Sequence, residues 1–318
     1  MLVKYALFSG SCLCLTTVQY LLQKNQLSCV VLPESDVTPD FYQLQQYLNN
    51  HNIPTLQFKA NTDPELIADL DRLGANCGLV YLFKNKIGVK VIEYFSAKIF
   101  NVHASALPNY RGPMPVFWQL RKGAESLQVC FHQVVEKIDA GPVYTKVDLP
   151  IHPFDTAQCL HQRIAQTIPM LLEQYQNLEE SIIDDLRAQN NKDAPSLFYA
   201  RQIVFEDLLI RWQHHTSEEI VNLARAANGD LGGARFKHRD GLFQLIQATK
   251  MACDLSGVKP GTVIELDRKN GLIVKTQDSS IRFDIVITEQ GIFDGYRFAV
   301  LFGLDPGLEV LGAVGDRV

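Results

Sequence analysis

Several features that mark large classes of protein are missing from this sequence. No apolar run approaches the roughly 20 residues that a transmembrane helix needs, and there is no internal repeat or low-complexity tract. The formal net charge of −5 shows no excess of basic residues, so no electrostatic footprint for nucleic acid is evident. The remaining composition is ordinary for a globular protein, and 318 residues are enough for two domains.

The common nucleotide-binding and hydrolase motifs are absent as well. The sequence contains no Walker loop, no G-x-G-x-x-G after the first strand pattern and no G-x-S-x-G. The two tryptophans, Trp118 and Trp212, are predicted to be core residues rather than ligand-stacking ones.

Cysteine usage points to a reducing compartment. The seven cysteines are an odd number, and the closest pair, Cys12 and Cys14, has a spacing that suits neither zinc nor a redox pair. We therefore expect free thiols and a cytoplasmic protein. Residues 1–12 are predicted to contain a buried strand rather than a signal peptide, because Lys4 interrupts a short apolar run.

Strand and helix patterns alternate through the first half. Strand patterns at residues 2–8, 27–32, 55–59, 77–83 and 97–103 are separated by helix patterns, one of them opening at Thr38 and Pro39. Such alternation predicts an α/β domain with a Rossmann-like parallel sheet covered on both faces. Ligands in such sheets bind beyond the carboxyl ends of the strands.

The second half has a different pattern of predicted helices and strands. Residues 188–196 are polar and resemble a linker, and short strand patterns broken by Gly, Asp and Asn follow a single helix pattern at 217–228. These predict a small OB-like β-barrel. We expect a first, catalytic domain at residues 1–187, a linker at 188–204 and the barrel domain at 205–318.

Asn101 and His103 stand at the carboxyl end of the fifth strand pattern. Side chains two apart on a strand share a face, so both would point away from the core that Val102 enters. An amide N–H and an imidazole at one point are suited to stabilising a developing oxyanion. Taken alone, the pair is more often a turn-capping Asn and a structural His.

Asp139 lies between the strand patterns at residues 127–135 and 142–151. If the strand before it runs parallel to the fifth strand, its carboxylate would lie beside His103 and favour the imidazolium. An Asx-turn role is the alternative. A metal site from His103, His132 and Asp139 is conceivable but not predicted, because no ligand pair has helix spacing.

Two stretches together resemble the folate-dependent formyltransferase family. Residues 100–123, "FNVHASALPNYRGPMPVFWQLRKG", and 130–144, "CFHQVVEKIDAGPVY", carry its Asn-x-His, its Leu-Pro-x-Tyr-Arg-Gly loop and its Asp-x-Gly. Residues 209–228 and 259–276 resemble the small C-terminal barrel of methionyl-tRNA formyltransferases and of some amino-sugar formyltransferases.

The resemblance implies a reaction and a set of site residues. A primary amine would attack the formyl carbon of 10-formyltetrahydrofolate, Asn101 and His103 would donate to the oxyanion, and Asp139 would orient and charge His103 and assist proton removal. No metal is implied. The folate pocket would be formed, largely by backbone groups, from two loops: Asn85, Lys86 and Ile87, and Val135, Glu136, Lys137, Ile138 and Asp139.

Several positions depart from the family pattern. Gln128 and Cys130 replace the usual Gly and Thr before the strand-end His, Pro113 replaces a basic residue of some amino-sugar enzymes, and residues 9–11 replace a Gly-Thr turn. These departures leave the three catalytic positions intact and bear on the acceptor.

The acceptor is not named by the sequence. Residues 32–41, "LPESDVTPDF", are acidic where enzymes acting on tRNA carry a basic loop, and the chain from Arg201 onward has no basic excess. We therefore expect a nucleotide-linked amino sugar or a carrier-tethered aminoacyl group, with methionyl-tRNA as the alternative and no membrane partner. From other classes, a formyl-folate hydrolase and a non-catalytic binding module stay open.

Overall fold

The computed structural model describes residues 2–34, 38–59, 63–188, 195, 198–252 and 255–310. The chain divides into two compact units. The first comprises Met1–Pro115, Ser126–Pro150 and His161–Arg201, and the second comprises Val116–Glu125, Ile151–Leu160 and Gln202–Val318. The domain boundaries expected from the sequence remain a prediction, since short segments of the first half group with the second unit.

The first unit is built on a seven-stranded sheet in the order β3-β2-β1-β4-β5-β6-β7. Its strands are β1 (Tyr5–Phe8), β2 (Leu27–Leu32), β3 (Thr55–Gln57), β4 (Cys77–Val80), β5 (Ile99–His103), β6 (Ser126–Gln133) and β7 (Val143–Pro150). The helices of the first half are α1 (Leu15–Gln23), α2 (Pro39–Asn50), α3 (Asp63–Arg72), α4 (Val89–Tyr94), α5 (Pro115–Arg121), α6 (Ala157–Gln176) and α7 (Glu180–Ala188).

The mostly parallel, Rossmann-like sheet is confirmed. Strands β3, β2, β1, β4 and β5 pair in parallel, and every residue of β1 and β4 is buried, as expected for central strands covered on both faces. The predicted start of α2 is also correct, because the Thr38 hydroxyl accepts the Phe41 N–H at 3.2 Å and Pro39 opens the helix.

The expected parallel direction of the strand before Asp139 is wrong. Strand β6 runs antiparallel to β5, with Asn101 opposite His132 and His103 opposite Cys130, and β7 is antiparallel to β6. A parallel return would need a crossover segment packed along the sheet. The seven-residue α5 between β5 and β6 belongs from Val116 onward to the second unit, so β6 begins at the edge where β5 ends.

Other differences from the expected elements have local causes. The helix predicted from Asp155 to about Glu180 is α6, which ends at Gln176 before a turn at Asn177, a residue that favours local turns. Helix α7, which follows it, was not predicted. Helix α4 was not predicted because "VKVIEY" has strand propensity. Most of the polar stretch at 188–196 and part of the acidic stretch at 32–41 lie outside the described residues.

The second unit has a six-stranded sheet in the order β10-β11-β12-β9-β8, with β13 paired to β12. All of these pairings are antiparallel. The strands are β8 (Ala234–His238), β9 (Gly241–Met251), β10 (Val263–Asp267), β11 (Gly271–Lys275), β12 (Ser280–Thr288) and β13 (Gly291–Phe293), with α8 (Ser217–Ala227) and α9 (Gly295–Phe302) beside them.

The core of the second unit is aromatic. The rings of Trp212 and Phe283 are stacked with centroids 6.2 Å apart, and Phe236 meets Phe283 edge to face at 5.2 Å. Both tryptophans, Trp118 and Trp212, are buried as predicted. Among the described residues, none of the helices combines the length and apolar character that a membrane crossing requires.

Strand β5 is held from one face by a cluster of rings. Phe100 stacks on Phe131 with centroids 4.8 Å apart, and Tyr144 and Tyr175 pack around this pair at 4.6 to 5.8 Å. Phe100 and Phe131 are fully buried. Because side chains alternate along a strand, this packing fixes the direction in which Asn101 and His103 point on the other face.

Gly78 is expected to be required for the close pairing of β4 with β5. A Cβ at Gly78 would lie 2.6 Å from Cγ1 and 2.9 Å from Cδ1 of Ile99. We therefore expect Gly78→Ala to lower the free energy of unfolding by about 1–3 kcal/mol through overpacking, measured by urea denaturation. The same substitution should cost less in an Ile99→Ala background, which removes both of these atoms, and an equal cost in both backgrounds would contradict this explanation.

Candidate active site

The end of β5 places two polar side chains on one face, as predicted. His103 is 6% exposed, Asn101 is half-buried, and Val102 between them is buried. The Nε2 atom of His103 lies 2.9 Å from the backbone carbonyl oxygen of Tyr110. A carbonyl can only accept, so Nε2 carries a proton and Nδ1 of the neutral ring holds the lone pair.

Asp139 completes the predicted trio despite the antiparallel strand before it. Its Oδ2 lies 3.6 Å from Nδ1 of His103 and accepts the Gly112 N–H at 2.9 Å, and its Oδ1 accepts from Asn101 Nδ2 at 3.3 Å. Its side chain is 8% exposed. The loop after β6 therefore folds back over the strand pair and brings the carboxylate to the end of β5.

Three features of the chain fold this loop back. Asp139 has a φ of +51°, a conformation that Asp tolerates better than most residues. The Arg111 Nε–H donates to the Asp139 carbonyl oxygen at 2.9 Å. A Cβ at Gly141 would collide with the carbonyl oxygen of Gln133, so the close approach of these segments requires glycine. Arg111 thus holds the backbone of Asp139, and the Gly112 N–H holds its side chain.

The charges of the trio follow from burial and from these bonds. Burial raises the pKa of the Asp139 carboxyl, but the His103 and His132 rings and the Gly112 N–H together lower it by more, so this pKa lies below its ordinary value. Burial lowers the pKa of the His103 imidazole below its ordinary value, against the opposing effect of Asp139. At neutral pH an ionised carboxylate therefore faces a neutral imidazole.

His132 is a fourth member of the site. Its Nδ1–H donates to the Gln133 carbonyl oxygen at 2.9 Å, so its Nε2 can accept from Asn101 Nδ2 at 3.1 Å. The same Nε2 lies 3.6 Å from Asp139 Oδ1. The sequence analysis considered His132 only as a metal ligand. Its contact with Asn101 was not predicted, because the sequence does not show that these two residues lie opposite each other in the β5–β6 pair.

The loop after His103 is held by its own side chains. The buried Ser105 hydroxyl donates to the Asn109 carbonyl oxygen at 2.7 Å, and the Cys130 thiol donates to the Ser105 carbonyl oxygen at 3.1 Å. Burial raises the pKa of Cys130 to about 11, so the thiol stays protonated. Cys130 thus serves as a hydrogen-bond donor at one of the two positions that depart from the family pattern, and the trio is assembled despite both departures.

The first predicted folate loop follows β4. Ile87 is buried in the hydrophobic cluster beneath the sheet, so only its backbone could meet a ligand, while Lys86 is exposed. Asn85 is half-buried, and its Oδ1 is buried without a hydrogen-bond partner among the described residues. An unpartnered buried acceptor costs stability unless a ligand or water satisfies it.

The second predicted folate loop runs from Val135 to Asp139. Its preceding residue, Val134, packs against the same hydrophobic cluster that contains Ile87, so the two loops begin at neighbouring places. Glu136 and Lys137 are exposed, and Ile138 is 50% exposed. Within the described part of the chain, no group of three or more His, Cys, Asp or Glu side chains is arranged to hold a metal ion.

The class of protein is given by comparison with family models. The model for formyl transferase matches residues 3–174, and the model for the formyl transferase C-terminal domain matches residues 202–294. The first match alone covers more than half of the chain. The chain therefore belongs to the formyl transferase family, as its motifs indicated.

Curated relatives share this family. The chain is similar to methionyl-tRNA formyltransferase of Sulfurihydrogenibium sp., with 28% identity over 256 residues, which are 78% of this chain and 80% of the relative. It is 30% identical to methionyl-tRNA formyltransferase of Thermotoga sp. over 70% of this chain and 69% of the relative.

Solved structures show the same fold. The N-formyltransferase from Helicobacter canadensis, solved with folinic acid and dTDP-3-aminofucose, matches with a TM-score of 0.61 at 18% identity, over 92% of this chain and all of that one. HypX from Aquifex aeolicus in complex with tetrahydrofolic acid matches with a TM-score of 0.58 at 15% identity, over 95% of this chain. The present chain spans about half the length of HypX, 48%.

The His103–Asp139 contact predicts a specific pH dependence of stability. Removing the carboxylate in Asp139→Asn should lower the pKa of His103 further. In the unfolded chain His103 takes up a proton near its ordinary pKa of 6.5, while in the folded protein it does so only at lower pH, so stability falls as the pH drops below that value. Asp139 stays ionised through this window and adds no slope of its own.

Between pH 7 and pH 5 the free energy of unfolding should therefore fall more in Asp139→Asn than in the wild type, by up to about 1.4 kcal/mol for each unit by which the pKa of His103 drops. Urea denaturation at each pH measures this difference. An NMR titration of the His103 ring, assigned with His103→Gln, measures the pKa directly. An unchanged or higher His103 pKa in the variant would show that the two groups are not coupled.

Proposed function

We propose that this protein is an N-formyltransferase that moves a formyl group from 10-formyltetrahydrofolate to a primary amine. The observation that supports this most directly is the assembled trio of Asn101, His103 and Asp139 in one buried cluster, with Asp139 within 3.6 Å of both partners. Membership of the formyl transferase family supports the reaction class. The roles of individual residues below are part of the proposal.

His103 accepts the proton that the amine loses. The amine nitrogen forms a bond to the formyl carbon, and the formyl C=O becomes an oxyanion. The lone pair on Nδ1 of the neutral His103 takes the proton, directly or through a water. The imidazolium that forms lies 3.6 Å from the ionised Asp139 carboxylate, which stabilises it. The oxyanion then re-forms the C=O as the bond to N10 of the folate breaks, and the imidazolium gives its proton to N10.

Asn101 stabilises the oxyanion. Both amide hydrogens of Asn101 have partners in this structure, Asp139 Oδ1 at 3.3 Å and His132 Nε2 at 3.1 Å. An oxyanion is a stronger hydrogen-bond acceptor than a neutral imidazole nitrogen. The Asn101 N–H that points to His132 is therefore the one that changes partner and donates to the oxyanion. His132 thereby holds the amide in place between turnovers.

The folate donor is proposed to bind at the two loops that begin beside the shared hydrophobic cluster. Asn85 Oδ1 offers an acceptor to the N–H groups of a pterin, and the backbone of residues 85–87 and 135–139 offers further groups. The exposed Ile138 side chain provides apolar surface directly before Asp139. No metal takes part in the proposed reaction.

The proposed acceptor is a nucleotide-linked amino sugar or a carrier-tethered aminoacyl group. The lack of basic excess after Arg201 supports it, because a tRNA acceptor is bound chiefly through its phosphates. Methionyl-tRNA is the second candidate, and the names of the curated relatives favour it. The free cysteines among the described residues support a cytoplasmic setting, and the second unit is proposed to be OB-like.

Loss of the oxyanion donor Asn101 or of the proton acceptor His103 should nearly abolish transfer. Removal of one oxyanion donor typically costs roughly 10²–10³ in rate, and removal of a general base typically costs roughly 10²–10⁴. Asn101→Ala and His103→Ala should therefore each lower kcat at least about 10²-fold with saturating substrates. Formation of tetrahydrofolate, followed spectroscopically, measures kcat. His51→Ala is a matched control, since His51 is an exposed histidine at the end of α2. Near wild-type turnover in either site variant would refute the assigned roles.

An acceptor panel tests the function and its alternatives together. The protein is incubated with 10-formyltetrahydrofolate and an amino-sugar nucleotide, an aminoacyl carrier protein or methionyl-tRNA, and mass spectrometry detects a gain of one formyl group. We expect formylation of one of the first two. Formylation of methionyl-tRNA alone would establish the second candidate. Formate release without any amine would identify a hydrolase, and no folate turnover would indicate a binding module.

A further inference from the structure

A short segment within the predicted linker, residues 198–200, pairs with the loop that follows His103. Phe198 accepts the Tyr110 N–H at 2.9 Å, and Ala200 donates its N–H to the Arg111 carbonyl oxygen at 2.7 Å and accepts the Met114 N–H at 3.1 Å. Arg111 and Tyr199 form an isolated parallel bridge. The loop that carries Tyr110, the partner of His103, thus pairs along its length with residues some 90 positions later in the chain.

Tyr199 of this segment places its ring beside Gly112, the residue whose N–H binds the Asp139 carboxylate. Gly112 has a φ of +115°, and a Cβ at this position would lie 3.0 Å from Cζ of Tyr199 and 2.7 Å from the carbonyl oxygen of Ala200. The phenol end of Tyr199 therefore rests against the backbone of Gly112. The Gly112 N–H in turn donates to Asp139 Oδ2 at 2.9 Å. One residue separates the Tyr199 ring from the carboxylate.

The exposure of Tyr199 contrasts with that of its neighbours. Tyr199 is 52% exposed, whereas Ala200 is fully buried and Phe198 packs its ring on Tyr110 at 5.3 Å. An aromatic ring that is fixed by its backbone and open on one side, next to a reactive group, has the properties of a ligand-binding surface. A purely structural tyrosine in this segment would gain stability from the burial that Phe198 has.

The two oxygens of Asp139 have different partners. Asn101 and His132 contact Oδ1 of Asp139, whereas Gly112 and His103 contact Oδ2. The second proposed folate loop begins next to Val134, which packs against the hydrophobic cluster, and ends at Asp139. Gly112, against which the Tyr199 ring lies, donates its N–H to Oδ2, the oxygen that faces the proton-accepting Nδ1 of His103. The attacking amine needs that Nδ1.

We propose that Tyr199 is a specificity-determining residue whose ring packs against the apolar face of the sugar ring that bears the acceptor amine. This inference rests on the proposed function and names the acceptor class as a carbohydrate. The C–H bonds on one face of a sugar ring carry partial positive charge and suit the electron-rich face of an aromatic ring. The segment between the two halves of the chain thereby contributes to the acceptor subsite.

The test compares steady-state kinetics of Tyr199→Ala and Tyr199→Phe with the wild type, using an amino-sugar nucleotide as acceptor. We expect the alanine variant to raise the KM for the acceptor about three- to tenfold, the effect of losing one aromatic contact. The phenylalanine variant should retain wild-type KM. The affinity for a non-transferable 10-formylfolate analogue should be unchanged in both. Tyr42→Ala is the matched control, because Tyr42 in α2 is 51% exposed.

Each other outcome overturns the inference in a recognisable way. Equal loss in both Tyr199 variants would assign the effect to the hydroxyl group and refute ring packing. Weakened analogue binding or a fall in kcat alone would show a structural role for Tyr199. Unchanged kinetics in the alanine variant would refute the subsite while leaving the proposed function intact. Absence of transfer to any amine by the wild type, with the folate analogue bound, would overturn the proposed function and this inference with it.

Discussion

The architecture of this site depends on keeping one ionised carboxylate, Asp139, out of water. A buried carboxylate is costly unless several donors and charges compensate for its lost hydration. Here the Gly112 N–H donates to Oδ2 at 2.9 Å and the Asn101 amide donates to Oδ1 at 3.3 Å. The conformations of both loops that meet at the end of β5 follow from this requirement.

The Leu-Pro-x-Tyr-Arg-Gly loop holds that carboxylate and its neighbour His103 in place. Its Tyr110 carbonyl fixes the tautomer of His103, its Arg111 binds the backbone of Asp139, and its Gly112 binds the side chain. The loop is itself held by Ser105 within and by Cys130 from the neighbouring strand. At position 130 a thiol donor performs this holding role.

The sequence predicted the identity of the trio better than the route by which it assembles. The two-residue period of a strand was sufficient to place Asn101 and His103 on one face, because that rule is local. The antiparallel turn at β6 was missed, since strand direction depends on where α5 packs and not on the pattern within β6. His132 and the 198–200 segment were missed for the same reason, because their contacts join residues 31 to 90 positions apart.

In the structure, the polar groups of the site are hydrogen-bonded to one another. His103 and Asp139 are 6% and 8% exposed, and the hydrogens of Asn101 and of His103 Nε2 all have protein partners. A water molecule that enters gains little, because it must displace bonds as strong as those it forms. A formyl oxygen that becomes an anion gains much more from Asn101 than His132 Nε2 does. The polar groups of the site are therefore satisfied at rest, and Asn101 gains its stronger interaction only when charge develops on the formyl oxygen.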